Sequence, residues 1–146
     1  MPTAPRESHR TPQLPSDVLD PACPSRVAFG RIGERWSMFV ILALADGALR
    51  FNAVRRRVGA VSTKVLTETL RALEHDGLVE RRESPGAPRR VEYSLTDLGG
   101  SLLAPIDAMR TWAEQHVPDM LASRERHLIA EEDALLGPGR AAGRTG

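Results

Sequence analysis

One side of a predicted helix carries the side chains of this chain that are best suited to chemistry. The helix runs from Thr63 to Asp76, and at 100° per residue Lys64, Glu68 and Arg71 project opposite an apolar stripe. That stripe consists of Leu66, Leu70 and Leu73. Cations, hydroxyls and carboxylates on one exposed helix face can bind phosphate groups and the edges of bases. We therefore expect this face to contact a polyanion.

The start of the same helix adds an anion-binding element. Ser62 is predicted to be the N-cap, and the backbone N–H groups at Ser62 and Thr63 then face outward at the positive end of the helix dipole. Lys64 adds a charge beside them. Thr67 can contact a base edge or a thymine methyl group, and the Glu68 carboxylate can accept a hydrogen bond from a cytosine amine. The alternative is that these residues form the solvated face of an ordinary three-helix domain.

After Gly77 the chain is predicted to form a β-hairpin with a basic tip. Two short runs, Leu78 to Glu83 and Val91 to Leu95, flank a loop that contains two prolines and a glycine. Four arginines lie in or beside this loop: Arg81, Arg82, Arg89 and Arg90. Guanidinium groups at the tip of a hairpin are suited to phosphate contacts or to a minor groove.

Positive charge is concentrated in the same middle segment of the chain. The 146 residues have a net charge of only +1. Residues 49–95 contain 10 Lys and Arg against 6 Asp and Glu, whereas residues 1–48 contain 5 of each and residues 96–146 contain 5 against 8. A polyanionic partner is therefore expected to meet the middle segment.

The remaining elements are predicted to be helices. They are a first helix from Pro24, a second from Met38 to Ala45 capped by Ser37, a third from Arg50 to Val58, a long one capped by Thr96 that ends near His116, and an amphipathic one from Met120 to Leu136. The second is almost wholly apolar, which predicts burial on all sides. Pro105 is expected to bend the long helix, and Pro118 is expected to end it.

These elements predict one folded domain with polar extensions. Five prolines in residues 1–21 predict a disordered arm there. Residues 22–117 are expected to form the domain, residues 118–136 a C-terminal helix, and residues 137–146 a disordered Gly/Arg tail.

The order of helix, turn, capped helix and basic hairpin predicts a winged helix-turn-helix. The fold class is then mainly α with a small β-hairpin wing and with additional dimerisation helices, which are the first helix and the long helix from Thr96. Since one α-helix fits the major groove of duplex DNA, the helix from Thr63 is the expected recognition helix and double-stranded DNA the expected partner. The alternative is a winged helix that serves as a protein-interaction module.

Several segments closely resemble the HxlR-type bacterial transcriptional regulators, which are relatives of the MarR group. These segments are Cys23-Pro24, Gly33 to Ser37, Arg50 to Asn52, Val61 to Thr67, Leu70 to Val79, Pro88 to Gly99, and Trp112. The resemblance covers about residues 20–116. It implies a homodimer that binds a pseudo-palindromic operator. In this family it also often implies a response to oxidants or electrophiles through the cysteine that precedes Pro24.

Cys23 is the single cysteine of the sequence, which excludes an intrachain disulfide. It is predicted at the N-cap of the first helix, where the helix dipole favours a thiolate. Oxidation would then join it to Cys23 of a second subunit or to a small external thiol. The alternative is that Cys23 is a small buried apolar side chain.

Three large side chains are candidates for a ligand pocket. Trp36, Met109 and Trp112 are expected near the point where the long helix meets the first two helices, and a pocket there could hold a small-molecule effector. The alternative is that they form the core of the dimer interface.

The sequence does not support catalysis. An enzyme of the nucleophilic type would need Cys23 or a serine near a histidine and a carboxylate. His9 lies in the predicted arm, however, and the other three histidines lie on separate helical elements: His75, His116 and His127. There is no Gly-rich phosphate loop and no metal-ligand spacing, so we expect no catalytic residue, no cofactor and no metal. No apolar run approaches the ~20 residues of a membrane span, and a cytoplasmic location is expected.

Overall fold

The computed structural model describes residues 17–137, so residues 1–16 of the predicted arm and residues 138–146 of the predicted tail lie outside the described range. The chain divides into two compact units, one ending at Leu103 and one beginning at Ala104. Residues 17–21 form turns, where disorder was predicted. Within them the Asp20 N–H donates to the Asp17 carbonyl at 3.1 Å, and the Cys23 N–H donates to the Asp20 carbonyl at 2.9 Å.

The first unit is mainly helical and contains a small sheet, which confirms the predicted fold class. Its elements are α1 (Ser25–Ile32), α2 (Ser37–Ala43), β1 (Leu49–Arg50), α3 (Phe51–Val58), α4 (Thr63–His75), β2 (Val79–Ser84), β3 (Arg90–Leu95) and α5 (Asp97–Gly100). One further helix, α6 (Leu103–Leu136), forms the described part of the second unit.

The core of the first unit is built from one face each of α2, α3 and α4. Its fully buried side chains include Val40, Ile41, Leu44, Val54, Leu66, Leu70 and Leu73. The stripe predicted for α4 is therefore confirmed. Burial of α2 on all sides is wrong, because Phe39 is half exposed and lies beside Trp36, with ring centroids 6.0 Å apart. Trp36, not Ser37, is the N-cap of α2.

The sheet has three strands in the order β1-β3-β2, all antiparallel. The predicted hairpin forms β2 and β3, with Val79 opposite Leu95 and Ser84 opposite Arg90. β1 was not predicted: Arg50, expected as the first residue of a helix, pairs with Glu92 and is the N-cap of α3. A strand of two residues has no alternation that a sequence pattern could reveal.

The end of α4 is joined to the hairpin and to α5 at one junction. α4 ends at His75, and Gly77 adopts a left-handed φ of 74°, so that its N–H donates to the Glu74 carbonyl at 3.0 Å. The Leu78 N–H donates to the Leu73 carbonyl at 2.9 Å, which completes a Schellman motif.

Thr96 ties this junction to α5. Its hydroxyl donates to the Gly77 carbonyl at 2.6 Å, its N–H donates to the Leu78 carbonyl at 3.2 Å, and its Oγ1 accepts from the Gly99 N–H at 3.0 Å. The predicted capping role of Thr96 is thus confirmed. Gly99 is buried against the Leu78 carbonyl.

The long helix predicted from Thr96 to His116 is interrupted, and its second part ends later than predicted. α5 stops at Gly100, and α6 starts separately at Leu103 and continues through Pro118 to Leu136. Pro105 lies in the first turn of α6, where the missing N–H has no helical acceptor to lose. Pro118 removes one helical hydrogen bond, and a helix of 34 residues continues across that gap.

An ion pair fastens α1 to the end of α4. The Arg31 guanidinium contacts the Asp76 carboxylate, and both side chains are about three-quarters buried. Arg31 also pairs with Glu34 at 2.9 Å. Asp76 is the C-cap of α4, where the helix dipole disfavours a negative charge. The hydrogen bond from Arg31 outweighs the cost of burying the carboxylate and holds the pKa of Asp76 below its ordinary value.

We predict that Gly99→Ala strongly destabilises the first unit. A Cβ at this position would lie 2.9 Å from the Leu78 carbonyl carbon and would overlap its oxygen, so the backbone of the junction must move. Overpacking of this kind costs about 1–3 kcal/mol or more, which denaturant unfolding measures directly. Gly100→Ala is the matched control, since a Cβ there meets nothing within 4 Å. Equal stability of the two variants would contradict the close approach.

We also predict an acid-sensitive contribution from Asp76. Because its pKa is lowered in the folded chain, the pair stabilises the fold above the unfolded pKa of about 4, and that stabilisation is lost as the pH falls through the folded pKa. Asp76→Asn should therefore be less stable than wild type near neutral pH, and the difference should shrink on acidification. Urea unfolding between pH 7 and pH 3 measures it. A stability difference that does not change with pH would disprove the assignment.

Candidate nucleic-acid interface

α4 presents one face to the core and the opposite face to solvent. Lys64, Glu68 and Arg71 are exposed, and Thr67 beside them is half-buried. The spacing of four and then three residues places the three charged groups in one row along the helix. The row carries two cations and one carboxylate, so it can both donate to and accept from a partner.

The N-terminus of α4 is capped as the sequence predicts. Ser62 has an extended backbone, and its Oγ accepts from the Val65 N–H at 3.1 Å. The Thr67 hydroxyl donates to the Thr63 carbonyl at 2.7 Å. That bond engages the hydroxyl hydrogen, which leaves the methyl group and an oxygen lone pair of Thr67 for other contacts. Ser62 and Thr63 are themselves exposed.

Two of the four hairpin arginines, Arg81 and Arg82, form ion pairs with glutamates of the same strand. Along β2 the side chains alternate between faces, so Arg81 meets Glu83 at 2.8 Å on one face and Arg82 meets Glu80 at 3.1 Å on the other. The hydrogen bond from Arg81 lowers the pKa of Glu83. Arg81 therefore brings a compensated charge, which the sequence pattern did not reveal.

Arg89 and Arg90 lie in and beside the loop that joins β2 to β3. Both are exposed, in the loop that follows Gly86 and at the first residue of β3. Both side chains are therefore accessible to a partner.

The structure adds α3 to the candidate surface. Three consecutive arginines, Arg55, Arg56 and Arg57, occupy its last turn. The Arg55 Nε donates to the Val61 carbonyl at 3.3 Å, directly before the cap of α4. The run of arginines was visible in the sequence, but its position beside the start of α4 depends on the turn between the two helices.

The N-cap position predicted for Cys23 is wrong. Pro24, with φ of −62° and a helical backbone, is the N-cap of α1, and Cys23 precedes it. Cys23 is 3% exposed, and its carbonyl accepts from the Arg26 N–H at 3.1 Å. The cysteine lies in the turn that leads into α1, with its side chain inside the protein.

The three side chains proposed for a ligand pocket have different surroundings. Trp36 is half-buried and lies 5.0 Å beneath the Arg35 guanidinium. Trp112 stacks on His116 with ring centroids 4.8 Å apart, and Trp112 and Met109 are both about half exposed.

A different set of residues lines an apolar cleft in the first unit. The cleft has a volume of about 370 Å³ and lies between α1, the end of α4 and α5. Its apolar lining includes Val27, Ala28, Ile32, Leu78, Leu98 and Leu102, and the Arg31–Asp76 pair borders it. Trp36, Met109 and Trp112 do not line it.

Residues 17–137 contain neither a cluster of metal-ligating side chains nor a helix suited to a bilayer. No group of three or more His, Cys, Asp and Glu side chains in this range could hold a metal ion. Of the helices in the same range, none combines the length and the apolar character needed to cross a bilayer.

The model of the HxlR-like helix-turn-helix family matches residues 31–121. The HTH-type transcriptional regulator YtfH of Escherichia coli (strain K12) is 41% identical over 103 residues, which cover 70% of this chain and 82% of that protein. The structure of the transcriptional regulator ytfH from Salmonella typhimurium is 40% identical, covers 75% of this chain and 97% of its own, and superposes with a TM-score of 0.66.

A third similar protein has been solved in a reduced, a diamide-treated and a quinone-bound form. YodB from Bacillus subtilis is 38% identical in its reduced form, which covers 64% of this chain and 92% of its own with a TM-score of 0.58. Its diamide-treated form covers 64% and 93% with a TM-score of 0.57.

Proposed function

The chain belongs to the HxlR-like helix-turn-helix family of transcriptional regulators, and we propose that it acts as a homodimer that binds a pseudo-palindromic operator in duplex DNA. The observation that carries the proposal is the exposed row of Lys64, Glu68 and Arg71 on a helix whose other face is buried. A helix held in this way can enter a major groove without unfolding its own domain.

In this proposal α4 recognises bases. Lys64 binds a phosphate or a guanine edge, Glu68 accepts from a cytosine amine, and the methyl of Thr67 packs against thymine. Arg71 lies a turn further along and contacts the far side of the groove. Ser62 and Thr63 lie at the helix N-terminus, whose dipole favours a backbone phosphate.

The wing orients the protein on the duplex and contributes less to the recognition of bases. Arg89 and Arg90 at the hairpin tip donate to phosphates or enter the adjacent minor groove. Arg81 supports the hairpin through its pair with Glu83 and contacts DNA only if it exchanges that partner for a phosphate.

Exposed apolar side chains favour a second copy of this chain as the other partner. On α1, Val27 and Phe29 are more than half exposed, and along α6 so are Met109, Trp112, Leu121 and Leu128. Burial of such surfaces between two identical subunits is the common solution in soluble oligomers. A two-fold dimer would also present two copies of α4 to half-sites about 34 Å apart.

We predict that base recognition and phosphate contact can be separated by mutation. Lys64→Ala and Thr67→Ala should change the preferred sequence in a selection from random duplexes, with about 1–3 kcal/mol of discrimination lost per contact. Arg89→Ala and Arg90→Ala should weaken all duplexes to a similar degree if the wing contacts phosphate, whereas a larger loss on A·T-rich flanks would place these arginines in a minor groove.

The same measurements test the proposal as a whole. Wild-type binding should decrease with salt, with a slope of roughly −0.9 in log K against log salt for each phosphate neutralised. Binding that ignores salt would favour the protein-interaction module instead. If all four variants lose affinity equally on every sequence, α4 does not recognise bases.

We further propose that oxidation at Cys23 changes DNA affinity. The similarity to YodB, which has been solved in reduced and diamide-treated forms, supports this role. Because the chain has one cysteine, a disulfide must form with Cys23 of the second subunit or with an added thiol, while diamide takes up the two electrons and two protons released. Burial of the side chain requires the turn before α1 to open first.

The expected result is a change in operator affinity when wild type is treated with diamide, and none for Cys23→Ser. The reason is that a bond at the start of α1 alters the dimer, and an operator with two half-sites tolerates little change in their spacing. A gel-shift titration before and after treatment measures the effect. An identical response of wild type and Cys23→Ser, or a thiol that resists alkylation in the native protein, would contradict the redox role.

The apolar cleft favours a second candidate function, which is sensing of a small apolar effector. Its volume of about 370 Å³ lies within the range of ligand pockets, and its one charged group is the Arg31–Asp76 pair. The Cys23→Ser control distinguishes the two mechanisms. A quinone that still alters DNA binding by this variant acts without the thiol, as the cleft mechanism requires.

A further inference from the structure

The last turn of α3 contains three arginines whose charges are used differently. The Arg57 guanidinium pairs with the Asp46 carboxylate at 3.1 Å, so much of its charge is compensated. The Arg55 Nε donates to the Val61 carbonyl at 3.3 Å. Arg56 lies between them in sequence and is exposed. Within residues 17–137, the structure pairs Arg57 with a carboxylate and pairs neither Arg55 nor Arg56 with one.

Arg55 and Arg56 line a small polar depression, here called the basic pocket. Its volume is about 340 Å³, and it is lined by Asn52, Arg55, Arg56 and Gly59. Asn52 lies three and four residues before the arginines, so the three side chains share one face of α3. The lining contains two guanidinium groups and one amide and has no carboxylate. This set of groups is rich in donors and matches a phosphate oxygen.

The hydrogen bond to Val61 fixes where the basic pocket lies. Val61 directly precedes Ser62, the N-cap of α4, so Arg55 is held beside the end of the helix proposed to enter the major groove. One of the five N–H donors of Arg55 is used for this contact, and the guanidinium has four others. A side chain already held in place loses less entropy when it binds a second acceptor.

We propose that the basic pocket binds one phosphodiester of the DNA backbone at the edge of the groove that α4 enters. This inference rests on the proposed DNA binding and adds a contact site on α3. Arg56 donates to the phosphate oxygens, Arg55 adds positive charge from its fixed position, and the Asn52 amide donates from the preceding turn. The pocket thereby sets how deeply and at what angle α4 lies in the groove.

The first test compares Arg56→Ala with Arg57→Ala in a salt titration on a selected operator. Both remove one arginine from the same helical turn, but Arg57 is already paired with Asp46. Because the homodimer loses this arginine twice, once in each half-site, Arg56→Ala should make the slope of log K against log salt shallower by roughly 1.8 and weaken specific and random duplexes by the same factor, about 2- to 5-fold for each subunit. Arg57→Ala should alter both less. Circular dichroism verifies that each variant is folded.

The second test identifies the phosphate itself. Single backbone phosphates of the operator are replaced by neutral methylphosphonates, and each duplex is titrated with wild type, Arg56→Ala and Arg57→Ala. At one position in each half-site, neutralisation should weaken wild type but cost Arg56→Ala little more, because the partner has already been removed. Arg57→Ala should respond at that position like wild type.

The outcomes separate the two proposals. If wild type binds duplex DNA but Arg56→Ala keeps the wild-type slope and shows no non-additive phosphate, the basic pocket is overturned and the proposed function stands. Equal effects of Arg56→Ala and Arg57→Ala would indicate a long-range charge effect and would also overturn the pocket. If wild type does not bind duplex DNA, both proposals fail.

Discussion

The arrangement of the first unit depends on the junction at Gly77 and Leu78. The Gly77 and Leu78 carbonyls follow the end of α4 and have no helical N–H partner. Thr96 donates to both of them, to the first through its hydroxyl and to the second through its N–H. Gly99 then packs so closely on the Leu78 carbonyl that a side chain cannot fit. Because α4, the hairpin and α5 meet at this point, the direction of the hairpin relative to α4 is determined by backbone contacts.

This junction explains how a small domain can hold its two candidate DNA-binding elements, α4 and the hairpin, in a fixed relative orientation. The Leu66, Leu70 and Leu73 stripe fixes the rotation of α4 about its own axis, since any other rotation would expose these leucines. The junction fixes the path of the chain from α4 into β2. At the other end, the Ser62 cap and the Arg55 contact with Val61 define where α4 begins. Surface residues can therefore vary without altering the geometry in which they are presented.

Local signals explain which features could be predicted from the sequence. The cap at Ser62, the apolar stripe of α4 and the cap at Thr96 each depend on residues a few positions apart, and all three are confirmed. The polar face of α4 could be predicted for the same reason, because it is the complement of the buried stripe.

Features that depend on distant partners could not be predicted. β1 exists because Leu49 and Arg50 pair with β3, and the need for glycine at position 99 comes from a carbonyl 21 positions earlier. The position of Cys23 differed because Pro24 takes the N-cap itself. The predictions drawn from the prolines of α6 failed for a related reason. The cost of a proline depends on its place in the helix, and the start of α6 was not evident from the apolar pattern.

Compensation of charge gives the candidate surface its character. Residues 49–95 carry four more cations than anions, yet pairs with Asp46, Glu83 and Glu80 engage three of the arginines in or next to the sheet and α3. The cations outside these pairs include Lys64 and Arg71 on α4, Arg56 on α3, and Arg89 and Arg90 at the hairpin tip. A uniformly basic surface would bind any polyanion in many orientations, because long-range attraction carries no geometric information. Cations restricted to separate points on a rigid frame can be neutralised together only by phosphates at matching separations, and this requirement selects one orientation on a duplex before any base is contacted.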